Sequence, residues 1–370
     1  MSAPYDIAAA FERIEDLLIR SMKRNLTNHL NEEALNGMTW PQWQIIQLDS
    51  LRRFREKNES EFPAEFDTIN QAVEQMILTT YNDAAAEEER RLLQSYLGEG
   101  IVLTESELAN LHSIHEDKLR ALIDETTNNM RKAESAILRT SEDAYRKIIF
   151  DSQVYLTTGS GTLTQAIDMA THDFLSRGLN CIEYKDGKMV NIASYSEMAL
   201  RTADTRATLL GEAAKRDEWG ESLVMVTYRS SACPKCTRYI GKVFVDDVWG
   251  TVGAKPNNRY PLLSSAIAGG LYHPNCKDSH TTYFEGITQR RTMTPAEEAE
   301  AIRRYELQQE QRYNERQIRK YKRLEAGSIS EENVAKYAAK RKEWQSRNKA
   351  FVEANDDVLR RDYQREKPRA

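Results

Sequence analysis

The chain has 370 residues, 40% hydrophobic and 29% charged, which is length enough for two or three domains and too polar for one large compact globule. Only 16 Gly and 9 Pro stand among abundant Glu, Lys, Arg, Gln and Ala, a bias toward long exposed helices that excludes sandwich and collagen-like folds. The net charge of −5 hides a split, since residues 287–370 hold 21 Lys and Arg against 15 Asp and Glu, a net +6, and residues 1–286 carry −11; neither part has the concentrated basic stripe of a nucleic-acid coat.

The N-terminal stretch MSAPYDIAAAFERIEDLL carries no basic region leading into an apolar core, so no secretory signal is expected. No run approaches 18 uninterrupted apolar residues, which excludes an ordinary transmembrane helix. The four cysteines are therefore read in a reducing, cytoplasm-like setting, where metal binding or inert burial outweighs disulfide formation.

Residues 1–156 form the first region and are helix-forming almost throughout. Ile14, Leu17, Leu18 and Met22 make one apolar stripe, and Leu108, Leu111, Ile114, Ile123, Met130, Ile137, Ile148 and Val154 another; such stripes require partner helices. Breaks are expected at Asn36-Gly37, at Phe62-Pro63 and from Gly98 to Gly100, after which Thr104-Glu-Ser-Glu107 reads as a capping box opening a helix of about 50 residues. His29, His112 and His115 fall on helical stretches and are expected at the surface.

Residues 157–286 change character. Thr157 to Gly161 ends the long helix, and Thr164–Arg177 gives another, closed by Gly178. Cys181–Tyr184 and Met189–Ile192 flank a Lys185-Asp-Gly-Lys188 turn, a hairpin signal. Ser194-Tyr-Ser-Glu197 caps a further helix running to about Trp219, with Glu197 and Arg201 an ion pair at four-residue spacing, and Leu223–Tyr228 and Tyr239–Val245 read as strands. This α+β region, holding all four cysteines, is the expected globular core.

Residues 287–370 are a charged helical tail. Thr294-Pro-Ala-Glu297 caps one helix, Ala326-Gly327-Ser328 interrupts it, and a second helix begins after Ser330. Tyr305, Tyr313, Tyr321, Leu324, Tyr337, Trp344 and Phe351 are too few to build a core, so the tail is expected to pack on another subunit or on the N-terminal helices. The fold expected is thus α+β and predominantly α: long N-terminal helices, a small central α+β domain pinned by zinc, and C-terminal charged helices.

The pin is read from Cys233-Pro-Lys-Cys236 and, after 36 intervening residues, His273-Pro-Asn-Cys276. Two thiolates on one tight turn chelate one ion, and a second chelating pair completes the tetrahedral N/S shell that suits zinc. His280 competes with His273 as the fourth ligand. Inert buried cysteines and a redox Cys-x-x-Cys are the alternatives; the redox reading suffers because Pro-Lys leads into a strand-like run rather than a helix N-terminus. Residues 246–272 hold Gly250, Gly253, Pro256, Pro261, Gly269 and Gly270 with few core residues, so a metal clip would order a loop that burial cannot. A hydrolytic site would need an open metal position and a base, for which Asp278, His280, Glu285 and His172 are the available groups. No Gly-x-Ser-x-Gly or phosphate-binding loop is present, and no catalytic residue is assigned.

The order Ser194-Tyr-Ser-Glu-Met-Ala-Leu-Arg-Thr202, Cys233-Pro-Lys-Cys236, Gly241, Gly269-Gly-Leu-Tyr-His-Pro-Asn-Cys276 and Lys277-Asp-Ser-His-Thr-Thr-Tyr-Phe-Glu-Gly286 resembles the tailed-phage minor capsid protein 2 family, and more distantly the MuF-type head morphogenesis proteins. The run Glu315-Arg-Gln-Ile-Arg-Lys-Tyr-Lys-Arg323 fits the same family, so the resemblance covers about residues 150–365. It implies a structural virion protein used in head assembly, present in few copies at the portal vertex or in the head interior and made in the host cytoplasm. Its implied partners are the portal protein and capsid proteins, in an assembly of multiple copies. A weak contact of the +6 tail with DNA is also expected, and no membrane partner. The alternative is an injected effector or metal-dependent nuclease, which would place His280 and Asp278 beside an open metal.

Overall fold

The computed structural model describes residues 4–36, 40–95, 104–157, 162–184, 187–251, 259–274 and 276–366. The breaks expected at Gly37, at Gly98 to Gly100 and across 158–161 lie outside these residues, as do Lys185 and Asp186, the loop segment 252–258 and the side chain of His29. Ten α-helices and five short strands are described. The first region is helical: α1 (Pro4–Asn36), α2 (Trp40–Glu61), α3 (Pro63–Ser95) and α4 (Glu105–Thr157), with the break at Phe62-Pro63 where Pro cannot continue a helix. Then come α5 (Leu163–Arg177), β1 (Asn180–Glu183), β2 (Met189–Asn191), α6 (Ile192–Glu218), β3 (Leu223–Val226), β4 (Val243–Val245), α7 (Leu263–Ala268), β5 (His280–Thr282), α8 (Pro295–Gly327), α9 (Glu331–Glu353) and α10 (Tyr363–Glu366). The predominantly α, α+β fold expected from sequence is the one observed. No described helix is long and apolar enough to cross a membrane.

The chain forms two compact units, each assembled from separated stretches: Met1–Tyr5, Gln71–Asn129 and Glu197–Leu307 in one, Asp6–Asn70, Met130–Ser196 and Gln308–Ala370 in the other. The second is nearly all helix. Along α1 the residues Phe11, Ile14, Leu18 and Met22 are buried at helical spacing. Phe54 of α2 stacks obliquely on Tyr145 of α4 at 4.8 Å between centroids, and the Tyr145 hydroxyl lies 2.6 Å from Ser50 Oγ. Thr162 and Gln165 make a reciprocal capping box on α5. Gly178 closes that helix at φ 74°, where a Cβ would meet Glu15 Oε1 at 2.3 Å. Glu15 itself accepts from the Leu179 amide at 2.6 Å and from Asn191 Nδ2 at 2.7 Å.

The start of α6 differs from expectation. The helix begins at Ile192, and Asn191 Oδ1 accepts from the Ala193 amide at 3.1 Å, so Ser194 lies inside the first turn. Asn191 ends β2 because it pairs with Asn180, and the chain turns helical as soon as that ladder stops.

The tail packs on the N-terminal helices. Leu324 of α8 is buried with Ile19 of α1 and Leu175 of α5, and Tyr321 and Tyr337 pack beside them. Arg323 donates to the carbonyls of Leu175 and Ser176 at 3.1 and 3.3 Å. Asp168 of α5 accepts from the amides of Ile329 and Ser330 at 2.7 and 3.0 Å and from Asn333 Nδ2 at 2.8 Å, so a carboxylate from another helix caps α9. The Thr294 and Glu297 capping box opens α8 as the sequence indicates.

The other unit holds a three-stranded antiparallel sheet in the order β4-β3-β5. Its two faces are both buried: Val224, Val226 and Phe244 join the cysteine-bearing core, while Met225, Val243 and Val245 meet Tyr260 and Tyr283. The second expected strand is shortened to Val243–Val245, because Thr237–Tyr239 makes a single 3-10 turn and Gly241 reverses the chain at φ 71°. Within this unit α6 passes close to α3 at Gly211, where a Cβ would lie 2.2 Å from the Tyr81 carbonyl oxygen. Backbone cannot yield there as a flexible side chain can, so Gly211→Ala should destabilise the chain by about 1–3 kcal/mol or more. A lowered denaturation midpoint would show it, and an unchanged one would disprove the close approach.

Candidate metal centre

Two tight turns bring the sequence-predicted ligands together. On the first, the amides of Cys236 and Thr237 donate to the Cys233 carbonyl at 2.9 and 3.1 Å, so both sulfurs project from one side of a single turn. The second follows α7, which ends at Gly269 and Gly270; there the Cys276 amide donates to the His273 carbonyl at 2.8 Å. Leu271, buried in the shared core, anchors this arm against the first.

Cys233 Sγ lies 3.2 Å from His273 Nε2, and Cys236 Sγ lies 3.6 Å from Cys276 Sγ. Tetrahedral coordination at ordinary Zn–S and Zn–N lengths places sulfur about 3.8 Å from sulfur and about 3.6 Å from nitrogen. The donor atoms of Cys233, Cys236 and His273 fall within 4.8 Å of one another, as do those of Cys236, Cys276 and Asp278. His273 Nδ1 is 2.9 Å from the Pro274 carbonyl, to which it donates, leaving Nε2 as the free lone pair. A ring held this way is the usual arrangement of a ligating histidine. The residues present therefore fit a soft divalent cation with an N/S shell.

The electrostatics agree. The hydrogen bond from Cys236 holds the Cys276 thiol below its ordinary value, against burial, while the same contact and burial push Cys236 up. Two adjacent buried sulfurs resist double ionisation unless a cation intervenes. Asp278, fully buried, stands behind Cys276, with Oδ2 at 3.5 Å from Sγ and Oδ1 at 3.4 Å from Arg229 Nη1. Cys181 stands apart in the helical unit, its thiol pushed up to about 12 by burial and then by Glu15. A cavity of about 450 Å³ bounded by Leu122, Leu209 and Trp249 reaches Tyr272, His273 and Cys276.

His280 is not brought into this group. It lies in β5, 2% exposed, with Nε2 at 3.2 Å from Arg216 Nη2 and Nδ1 at 2.9 Å from the Tyr272 hydroxyl. Burial, and then the Arg216 charge, lower its pKa to about 3, so the ring is neutral. Glu285 accepts from the Tyr260 hydroxyl at 2.7 Å, and His172 is a half-exposed side chain of α5. The surface expected for His115 is corrected: it is buried, with Nε2 at 2.9 Å from Asp217 Oδ2, whereas His112 is exposed.

Sequence reasoning missed Arg216 and Asp246. Arg216, 1% exposed, donates to Asp246 Oδ2 at 2.9 Å. Burial opposes ionisation of Asp246, but the guanidinium beside it holds the carboxyl below its ordinary range. The available signal was position: Leu209, Ala213 and Arg216 are spaced by four and three, which puts the arginine on the buried stripe of α6. Glu212, one turn earlier, lies 3.8 Å from Arg216 Nη1 and 3.5 Å from Arg91 Nη1.

Comparison with known proteins gives these observations a family. A family model described as phage minor capsid protein 2 matches residues 2–353. The chain belongs to that family. It is 29% identical over 229 residues to a protein named "Structural protein" of Lactococcus phage LL-H, a match covering 60% of this chain and 61% of that relative. It is 39% identical over 117 residues to another "Structural protein", of Lactococcus phage mv4, covering 30% of this chain and 94% of the relative. The chain thus spans about 61% of the length of the first of these relatives. No solved structure matches. As a member of a minor capsid family the chain is a phage structural protein.

Glu212 makes the stability of this minor capsid protein depend on pH. Burial raises its pKa from the ordinary 4.5 to about 7, with Arg216 and Arg91 opposing and Glu88 adding to the rise. Between these two values the folded chain keeps a proton that the unfolded chain has released, so stability falls as pH rises through this window, by about 3 kcal/mol in all. Glu212→Gln should flatten that slope in denaturant titrations from pH 4.5 to 7. An unaltered slope would exclude Glu212 as its source.

Proposed function

We propose that the chain is a minor capsid protein of the phage head, acting at the portal vertex or in the head interior as a helical connector with a structural zinc centre. The observation that carries this is that two turns 36 residues apart bring Cys233 within 3.2 Å of His273 and Cys236 within 3.6 Å of Cys276, the residue types of a tetrahedral N/S shell. Zinc would supply cross-linking, worth roughly 10–16 kcal/mol in small zinc-dependent peptides. Cys233 and Cys236 would hold one side of the knot, and His273 and Cys276 would close it from the turn after α7.

Family membership supports assembly with other virion proteins, and we assign the portal protein and capsid proteins as partners of multiple copies of this chain. Several tail cations are already engaged within the chain, Arg341 with Glu325 at 2.6 Å and Arg361 with Glu366 at 2.7 Å, so any contact with DNA through the +6 tail is weak. A structural role is favoured over a nuclease because His280 spends both ring nitrogens on Arg216 and Tyr272 and Asp278 faces Arg229 and Cys276.

Co-expression with the portal protein tests the assignment: a defined complex and recovery in purified virions are expected, and absence of both would defeat it. For the metal, elemental analysis should give one zinc per chain. Chelation should then accelerate hydrogen exchange selectively across 229–285, whereas metal-free protein with Cys233, Cys236 and Cys276 freely alkylated in the native state would sink the zinc reading.

A further inference from the structure

Among the described residues Tyr272 alone, glycines apart, has a positive φ, at 54°. A bulky aromatic residue resists that left-handed backbone, so surrounding structure must hold it there. What holds it is visible at its side chain. The ring packs on the core beneath the cysteines and stands 5.8 Å, between centroids, from the imidazole of His280. Its hydroxyl is 2.9 Å from His280 Nδ1, and on the far side of the imidazole Nε2 is 3.2 Å from Arg216 Nη2. A guanidinium can only donate, so Nε2 accepts and Nδ1 carries the proton that is given to the Tyr272 oxygen. Arg216 is fixed in turn by Asp246 at 2.9 Å. This chain of hydrogen bonds begins at a permanently charged buried group and ends on the residue just before His273.

We propose that the Tyr272 hydroxyl is a positioning group for the metal centre: docked on His280 and Arg216, it fixes the left-handed backbone that aims His273 Nε2 at Cys233. The inference rests on the zinc reading above. The imidazole of His273 has its other nitrogen on the carbonyl of its own neighbour, Pro274, so its direction follows the local backbone. Gly270, two residues before Tyr272, has φ 106° and open space where a Cβ would stand, so packing does not constrain the turn at that point. Leu271 anchors the arm in the core but leaves the rotation at Tyr272 to be set by the tyrosine itself. By linkage the coupling is reciprocal: loading the ion stabilises the same network that favours loading.

Zinc affinity of the full chain, measured by competition with a chromophoric chelator, tests this in wild type, Tyr272→Phe and Tyr228→Phe. Removing the Tyr272 hydroxyl should weaken zinc binding about 10- to 100-fold, the range for groups that orient a ligand, while the Tyr228→Phe control leaves it unchanged. A second readout needs no variant. In histidine-labelled wild-type protein, zinc addition should shift the ring-nitrogen resonances of His280, which does not touch the ion, without changing its Nδ1–H tautomer. Tyr272→Phe protein that binds zinc as tightly as wild type, or His280 resonances that ignore zinc, would overturn the proposal. If Tyr272→Phe does not fold, the His280 response decides. Wild-type protein that takes up no zinc at all would instead overturn the metal reading on which it stands.

Discussion

A guanidinium cannot shed its charge in a protein interior, so everything near Arg216 must be arranged to receive it. Asp246 answers with a carboxylate at 2.9 Å, and His280 turns a bare ring nitrogen toward the same donor. That requirement fixes the tautomer of His280, keeps its ring neutral, and directs its remaining N–H at Tyr272. The three-stranded sheet enters the same logic, because β5 pairs with β3 in the register Val226 to His280 and so carries the histidine inward. The cost of burying these charges is offset at Nη2 of Arg216, whereas its Nη1 makes no hydrogen bond among the described residues and stands 3.8 Å from Glu212, which holds its proton up to about pH 7.

The helical unit obeys a parallel constraint with different groups. Glu15 of α1 reaches the start of the hairpin and Asn191, and Asp168 of α5 caps the helix after Ser330, so single carboxylates tie together segments more than 150 residues apart. Apolar burial alone would not specify those junctions, since the tail offers few anchors. Directional hydrogen bonds to backbone amides do specify them, because an unmet buried amide is expensive. For a structural component of a phage particle, this means that the charged tail is an integral part of a packed unit rather than a loose appendage.

Much of this was legible in the amino-acid order. Pro63, Gly178, Gly327 and the Thr294 capping box mark helix ends through local backbone chemistry, and the stripes of α1 follow a period that needs no knowledge of the partner. The four candidate metal-ligand residues were legible for a similar reason: a chelating turn requires particular side chains two residues apart, and the signal survives without any fold. The start of α6 was not, because Asn191 and Ser194 both make good caps, and the choice between them is made by where the β1 and β2 ladder ends. Nor was the burial of His115 and Arg216, whose residue types favour water unless a partner is brought from elsewhere in the chain.

The sequence by itself determined the predominantly helical character, the positions of most helix ends, the family, and the Cys and His residues able to converge on one ion, all of which depend on residue type and short spacing. Only the tertiary structure separated His273 from His280. The two differ by seven positions in the chain, and what distinguishes them is that strand pairing and a buried Arg216 claim one, while a left-handed turn at Tyr272 delivers the other to the cysteines. Such a choice depends on groups far apart in sequence, and no local pattern records it.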